Sequence, residues 1–297
     1  MRTDTDDYVL TNKQRLNSRN RCQAASIIIE DLNLQKKFHT VVKSFIAFLK
    51  KEVFECIRSG ELTFFCILFL IFGIMNPAIA KLTPWMLETL SDSLAEQGMM
   101  VTEVTVNALT SWTQFFKNIP IALIVFVFLY SGIFTKEYET NTLILILTKG
   151  LSRYKVVFAK FFVMFTMWTI GYLLCFAVTY GYNAFFWDNS IAVGLLPAMV
   201  HWWLFGVWII GLIVLFSVLV KSYTGVLLGT GGSVLGVYLI SFFPKAWKYT
   251  PTTLMESASL LIGTKSIEDY GIAVLITILL VVICLIVSIT VMNRKQL

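Results

Sequence analysis

The sequence predicts an all-α integral membrane protein with six transmembrane helices, and three observations lead to this fold class. Hydrophobic residues make up 57% of the 297 residues, and only 14% are charged, against about 25% in a typical soluble domain. Six apolar stretches approach the roughly 20 residues that a helix needs to cross a bilayer. Basic residues are also distributed unevenly between the loops. Too little charge is present to cover the surface of a water-soluble protein.

The six predicted spans differ in length, and their approximate bounds are residues 62–80, 119–134, 161–187, 193–220, 224–243 and 270–292. The second span is short, so we expect it to gain a turn from one flank. The third and fourth are long enough to tilt or to extend beyond the bilayer. As drawn, the spans hold almost no ionisable residues. This argues against an intramembrane protease, a proton-coupled carrier and a channel with a charged filter.

The distribution of Lys and Arg predicts how the chain lies in the membrane. Nineteen of the 24 fall in the segment before the first span, in loop 135–160, at Lys221 and after the last span, and five fall in the other loops. Because cytoplasmic loops carry the excess of basic residues, both termini are predicted to be cytoplasmic. The net charge of +6 then needs no nucleic-acid partner. The polar first residues also predict no cleavable signal peptide.

The residues before the first span fall into two predicted segments. Residues 1–40 mix acidic, basic and polar side chains, so we expect a flexible or weakly helical cytoplasmic segment. Residues 41–58 are predicted to form an amphipathic helix, whose apolar positions are Val42, Phe45, Ile46, Leu49, Val53 and Ile57. Such a helix is typical of the membrane interface, with its lysines near anionic headgroups. A soluble helix packed on a partner is the alternative.

The loop after the second span has the most informative pattern. It begins with two acids, Glu137 and Glu139, continues with an apolar run at residues 143–147, and turns at Gly150. Ser152 is placed to cap the helix that follows. Five apolar residues are too few to cross a bilayer. The periodicity alone leaves three possibilities open: contact with the bilayer surface, a groove in a soluble partner, or a plain amphipathic connector.

This loop resembles that of the ABC-2 type permeases, the membrane subunits of a class of ATP-driven exporters. The matching positions are Glu137, Thr142, Leu143, Leu147, Thr148, Leu151, Ser152, Arg153 and Lys160. Residues 50–58, 73–84 and 247–254 are similar to other segments of the family, and the resemblance covers residues 41–297. Asn141 stands where the family usually has Gly. Asn tolerates a left-handed backbone, so the turn can be retained.

The resemblance implies a mechanism in which two permeases, identical or paralogous, pair in the cell membrane of a bacterium. Each docks a separate ATP-binding subunit, so two copies of that subunit, with their ATP and Mg, are expected as partners. The implied coupling residues are Glu137, Glu139, Thr142, Leu143, Leu147, Thr148, Ser152 and Arg153, with both leucines as apolar anchors in the ATPase groove. The chain itself is not expected to be an enzyme. Its glycine-rich run at residues 229–236 lacks the lysine of a phosphate loop and lies in a span.

Polar and small residues inside the spans suggest a path and a packing surface. Candidate path residues are Asn76, Thr166, Thr169 and Tyr172, and candidate packing residues are Gly225, Gly229, Gly232 and Gly236. The glycines favour packing of the fifth span within its own bundle, and a seam between two permeases is the alternative. A path without buried charge suits a hydrophobic or amphipathic cargo such as a peptide, a lipid-like molecule or a drug.

The predicted function is therefore that of the permease subunit of an ATP-driven exporter that works by alternating access. A membrane sensor or scaffold that binds an ATPase without moving cargo is the runner-up, and an ATP-independent channel is third. No catalytic residue and no metal site is predicted, and the five cysteines are expected to be free. Loop 81–118 is predicted either to gate the outer side or to lie flat on the outer leaflet.

Overall fold

Helices form almost all of the computed structural model, which describes residues 42–96, 106–140, 142–148, 151–256 and 258–295. The chain divides into two compact units, residues 1–50 and residues 51–297. In the first unit, residues 42–50 are helical. The second unit begins with helical residues 51–58, here called α1. The prediction for residues 1–40 falls outside the described residues.

Six helices of the second unit are long and apolar enough to cross a membrane. They are α2 (Glu61–Glu96), α3 (Ala108–Tyr130), α6 (Arg153–Phe186), α7 (Leu195–Leu219), α8 (Tyr223–Ser241) and α11 (Gly271–Arg294). The short helices are α4 (Thr135–Glu139), α5 (Thr142–Thr148), α9 (Pro244–Trp247) and α10 (Ala258–Leu261), and 3-10 turns cover Asn189–Ile191, Pro251–Met255 and Ile267–Tyr270. The all-α architecture with six spans is confirmed.

Two of the helices begin earlier than the spans predicted for them. The second span was expected from residue 119, but α3 begins at Ala108 because its first turns bury aromatic side chains such as Trp112 and Phe115. The third was expected from residue 161, but α6 begins at Arg153. The first two turns of α6 therefore contain Lys155 and Lys160, both buried. Both lysines lie before residue 161, where the third span was predicted to begin.

The core of the bundle is built around α6 and α7. α2 and α3 pack together with α6, and α11 packs along α7. Aromatic rings fill the contact between α2 and α6. The ring centroids of Phe65 and Phe69 in α2 lie 4.5 Å apart, and the centroid of Trp168 in α6 lies 6.0 Å from that of Phe69. At Gly171 a Cβ atom would lie only 2.5 Å from the Phe65 ring. The glycine therefore allows the close approach of α2 and α6.

The backbone of α2 at Pro77 is hydrogen-bonded by neighbouring helices. Pro77 has no N–H, so it cannot donate to the carbonyl of Gly73 one turn earlier. The Thr179 hydroxyl of α6 donates to that carbonyl over 3.0 Å. Asn76 donates to the Thr179 oxygen over 3.1 Å and accepts from Asn118 of α3 over 2.7 Å. Thr179 thus satisfies the carbonyl that the proline leaves without its donor, and side chains of three helices form one hydrogen-bonded network around it.

Replacing Thr179 with valine should destabilise the protein by about 1–2 kcal/mol, because two buried polar groups lose their partner. The double variant Pro77→Ala/Thr179→Val should lose less, since alanine in place of the proline restores an N–H for the Gly73 carbonyl. Thr166→Val is the matched control, because Thr166 bonds only to its own helix at Phe162. Thermal unfolding in detergent measures all three. Equal losses in the single and double variants would contradict this account.

Candidate functional site

A buried ion-pair cluster joins α1, α4 and α6 at the end of the bundle where α6 begins, here called the basal end. The Lys160 ammonium lies 3.1 Å from Glu52 Oε2 and 3.1 Å from Glu137 Oε1. It also donates a hydrogen bond to the carbonyl of Ile133 over 3.1 Å. The Lys160 side chain is only 2% exposed. A buried cation needs such partners, because removal from water costs several kcal/mol per ion.

Lys51 covers the cluster from its solvent side. Its ammonium lies 2.6 Å from Glu55, 3.0 Å from Glu52 and 3.6 Å from Glu137. Partial burial acts to lower the pKa of Lys51, but the three carboxylates outweigh this effect and raise the pKa above its usual value. Lys51 therefore stays charged at neutral pH. Because its side chain is 45% exposed, solvent weakens its ion pairs relative to those of Lys160.

A small cavity of about 60 Å³ lies beside the cluster. Its lining includes Glu52, Glu61, Glu137, Tyr130 and Cys56. Burial, followed by the charge of Glu61, raises the pKa of the Cys56 thiol to about 11. The thiol is therefore protonated at neutral pH and is a poor nucleophile. Among the described residues no group of His, Cys, Asp and Glu is arranged to hold a metal ion. The cluster suits structural linkage better than catalysis.

The segment formed by α4 and α5 has two different faces. Glu137 and Leu143 are buried against this chain, with 7% and 1% exposed. Glu139, Thr142 and Thr148 are exposed, and Leu147 is partly exposed. The sequence predicted both leucines as anchors for a partner, but the structure gives them different surroundings, and only Leu147 is accessible. Asn141 lies outside the described residues.

The end of the segment is fixed by Arg153 in the first turn of α6. Its guanidinium Nη1 donates to the carbonyls of Met292, Asn293 and Lys295, over 2.9, 3.2 and 2.5 Å. A cation at the carbonyl end of a helix is favourable, because those carbonyls have no partner within the helix. Ser152 occupies the predicted N-cap position of α6, but its hydroxyl makes no capping hydrogen bond.

The candidate path residues already have partners inside the bundle. Asn76 is fully buried in the network around Pro77. Thr166 and Thr169 donate to carbonyls of their own helix, and Thr169 also accepts from the indole of Trp203. The Tyr172 hydroxyl donates to the carbonyl of Met199 over 2.9 Å. Their role in a substrate path stays a prediction.

The four candidate packing glycines have two kinds of surroundings. A Cβ atom at Gly229 would lie 2.4 Å from Phe216 of α7, and one at Gly225 would lie 2.4 Å from Val220. At Gly232 and Gly236 a Cβ would meet no atom within 4 Å. The first part of α8 therefore packs within its own chain. The second part has an open face, which a seam between two permeases would require. The choice between packing within the bundle and such a seam therefore stays open.

Sequence reasoning missed the partners that complete the site. Lys160 belonged to the matched pattern and Glu52 to the predicted amphipathic helix, but nothing in the sequence indicated that they pair across 108 residues. Tyr138 and Lys295, whose contacts are described below, were not singled out. A weak signal existed for Glu52, since an acid at that position interrupts a lysine-rich helix.

Comparison with known proteins identifies a family. A family model described as "ABC-2 family transporter protein" matches residues 46–244. This match includes helical residues 46–58 and the first five membrane-spanning helices. A search of curated proteins finds no match.

Proposed function

The chain belongs to the ABC-2 family of transporter proteins, and from this premise we propose that α4 and α5 dock a separate ATP-binding subunit. As a family member, the chain is a multi-pass permease component of an ABC transporter, and its partner is an ABC ATP-binding subunit. In the proposed mechanism, two copies of that subunit bind ATP and Mg and hydrolyse the nucleotide, while this chain forms the path across the membrane.

One observation carries the docking proposal: the two faces of the α4–α5 segment. The inward face is fixed by Glu137 and Leu143, and the outward face presents Glu139, Thr142 and Leu147. Because the inward face is held by buried contacts, a displacement of the outward face by the docked subunit would be transmitted to the bundle. The ion pair of Glu137 with Lys160 leads directly to α6. With the basal end in the cytoplasm, as the basic residues predict, this face meets the ATPase.

Export of a hydrophobic or amphipathic cargo is the second part of the proposal. It is supported by an apolar groove of about 570 Å³ between α3, α7 and α8, lined by side chains such as Leu123, Phe205 and Leu228. Charged side chains are absent from this lining. Ligand pockets of this size and character bind molecules that are mostly apolar. The proposal places two permeases side by side, with the open face of α8 near Gly232 and Gly236 available for the seam.

Replacing Leu147 with aspartate should weaken docking at least about tenfold, because a charge would replace an apolar side chain that the proposal places in the contact. Leu147→Met, which keeps an apolar side chain, is the matched control. Leu143→Asp should instead destabilise the chain by about 3 kcal/mol or more, since its charge would be buried without a partner. Co-purification with the ATP-binding subunit and thermal unfolding separate these effects. Wild-type recovery of the subunit with Leu147→Asp would contradict the docking proposal.

Vesicle transport distinguishes the exporter from its runner-up. The complex, reconstituted with and without ATP, should release fluorescent hydrophobic and amphipathic probes only when ATP is hydrolysed. Leu147→Asp should abolish this release. ATP hydrolysis without release of any probe would favour a membrane sensor or scaffold over an exporter.

A further inference from the structure

Tyr138 lies next to Glu137 in α4 but contacts a different part of the bundle. Its hydroxyl accepts a hydrogen bond from the Lys295 ammonium over 3.4 Å and is 3.9 Å from the Met292 sulfur, to which it can donate. The same ammonium lies 4.6 Å from the centre of the Tyr138 ring, within range of a cation–π contact. Burial, with a smaller contribution from Glu137, raises the pKa of the Tyr138 hydroxyl to about 12. The hydroxyl therefore keeps its proton.

Lys295 connects this contact to a second membrane helix. Its ammonium donates to the carbonyl of Val218 over 2.6 Å. Val218 lies in the last turn of α7, where carbonyls have no donor within the helix. Partial burial, followed by the nearby charge of Lys221, lowers the pKa of Lys295. A single side chain thus joins α4, the end of α11 and the end of α7.

Adjacent residues of α4 therefore contact two groups of helices. Glu137 contacts Lys160 of α6, the helix on which α2 and α3 pack. Tyr138 contacts the end of α11, which packs along α7. Arg153, in the first turn of α6, holds the same end of α11 through three carbonyls, so α6 and α11 are also joined directly. A displacement of α4 cannot leave the end of α11 where it is without breaking the contact of Tyr138 with Lys295.

We propose that Tyr138 and Lys295 are positioning residues that transmit movement of the α4–α5 segment to α7 and α11. Glu137 and Lys160 transmit the same movement to α6. The inference rests on the proposed docking of the ATP-binding subunit, because that docking supplies the movement. It adds to it a branch point: of two neighbouring side chains, Glu137 contacts α6 and Tyr138 contacts the end of α11, and these contacts act beside the direct packing of α6 on α7 and α11.

The test measures the separation of the two helix groups at the end of the bundle opposite the basal end. Spin labels at Phe185→Cys in α6 and Ile272→Cys in α11 are exposed, at 81% and 51%, in a background whose five native cysteines are replaced. Labelled chains are diluted into unlabelled chains so that only distances within one chain contribute. Double electron–electron resonance is recorded on the complex with its ATP-binding subunit in nanodiscs, before and after trapping with ATP and vanadate.

The expected result is a distance shift on trapping in the otherwise unmodified chain, and its loss in Lys295→Met while the ATP-binding subunit still co-purifies. Lys295→Arg, which keeps the charge and donors, should restore the shift. Lys221→Met is the matched control, since it removes a neighbouring lysine that bonds to neither helix end, and it should retain the shift. Tyr138→Phe should reduce it and Tyr154→Phe, at an exposed tyrosine, should not.

Four outcomes would overturn the proposed role of Tyr138 and Lys295, here called the relay. These are a full shift in Lys295→Met, an equal loss in Lys221→Met, loss of the bound subunit in Lys295→Met, or no shift in the unmodified chain. The last outcome would also contradict the proposed function. A shift that survives Leu147→Asp but disappears in Lys295→Met would contradict the docking face and leave the relay standing. A shift lost in Leu147→Asp and intact in Lys295→Met would support the docking face and contradict the role of Tyr138 and Lys295.

Discussion

Replacing Lys160 with methionine is expected to destabilise the protein by about 3–5 kcal/mol, the usual cost of removing one partner of a buried ion pair. The variant leaves two buried carboxylates, Glu52 and Glu137, without the buried cation that paired with both. Only the half-exposed Lys51 then lies near them. Methionine preserves most of the length and apolar volume of the lysine stem, so the loss is one of charge rather than of packing. Thermal unfolding in detergent at neutral pH measures it.

Two comparisons show whether charge is the cause. Lys51→Met should cost about 1 kcal/mol or less, because that side chain is 45% exposed and its ion pairs are screened by solvent. The triple variant Glu52→Gln/Glu137→Gln/Lys160→Met should recover most of the loss, since no buried charge remains uncompensated. A deficit that is the same in the single and triple variants would show a packing effect instead.

The cluster also indicates why such a charged site persists in a membrane protein. Apolar side chains of similar volume are often at least as stabilising as a buried ion pair, so stability alone does not account for Lys160. The three side chains belong to α1, α4 and α6, elements that the proposed mechanism requires to move together. An ion pair with fixed hydrogen bonds specifies one arrangement of these elements, whereas an apolar contact would permit sliding.

The helices were predictable from the sequence, because long apolar runs admit few alternatives. Their ends were not. Trp112 and Phe115 extend α3 through a stretch that also holds Lys117 and Asn118, and a count of apolar residues stops there. Lys160 lies one residue before the predicted start of the third span, and an isolated lysine is costly in a membrane. Its cost is offset by Glu52, a residue 108 positions away, and no local pattern indicates that partner.

The candidate site was predictable only in part. The resemblance located the segment at residues 137–153, but in the run from Thr142 to Thr148 nearly every position is apolar. Periodicity therefore could not show that Leu143 faces inward and Leu147 outward. Asn76 was named as a candidate path residue, yet its partners Asn118 and Thr179 come from two other helices. Contacts between helices depend on rotation and depth, which the sequence of one helix does not specify.

Replacing Gly206 with alanine is expected to destabilise the protein, by an amount toward the upper end of about 1–3 kcal/mol. A Cβ atom at this position in α7 would lie 2.3–2.4 Å from three atoms of the Trp168 indole. The ring is fully buried, and its Nε1 donates to the carbonyl of Trp203 over 3.1 Å, so it cannot turn aside. Alanine gains about 1 kcal/mol of helix propensity over glycine, and the clash outweighs this gain.

A matched glycine in α8 tests the same substitution without the clash. Gly232→Ala meets no atom within 4 Å, so the stability of the single chain should be unchanged or slightly raised. The double variant Gly206→Ala/Trp168→Phe should lose less than the sum of its single variants, because the smaller ring makes room for the methyl group. Thermal unfolding of the four variants separates the close approach of α6 and α7 from a general effect of glycine. Equal changes in stability for Gly206→Ala and Gly232→Ala would contradict a close approach of α6 and α7 at Trp168.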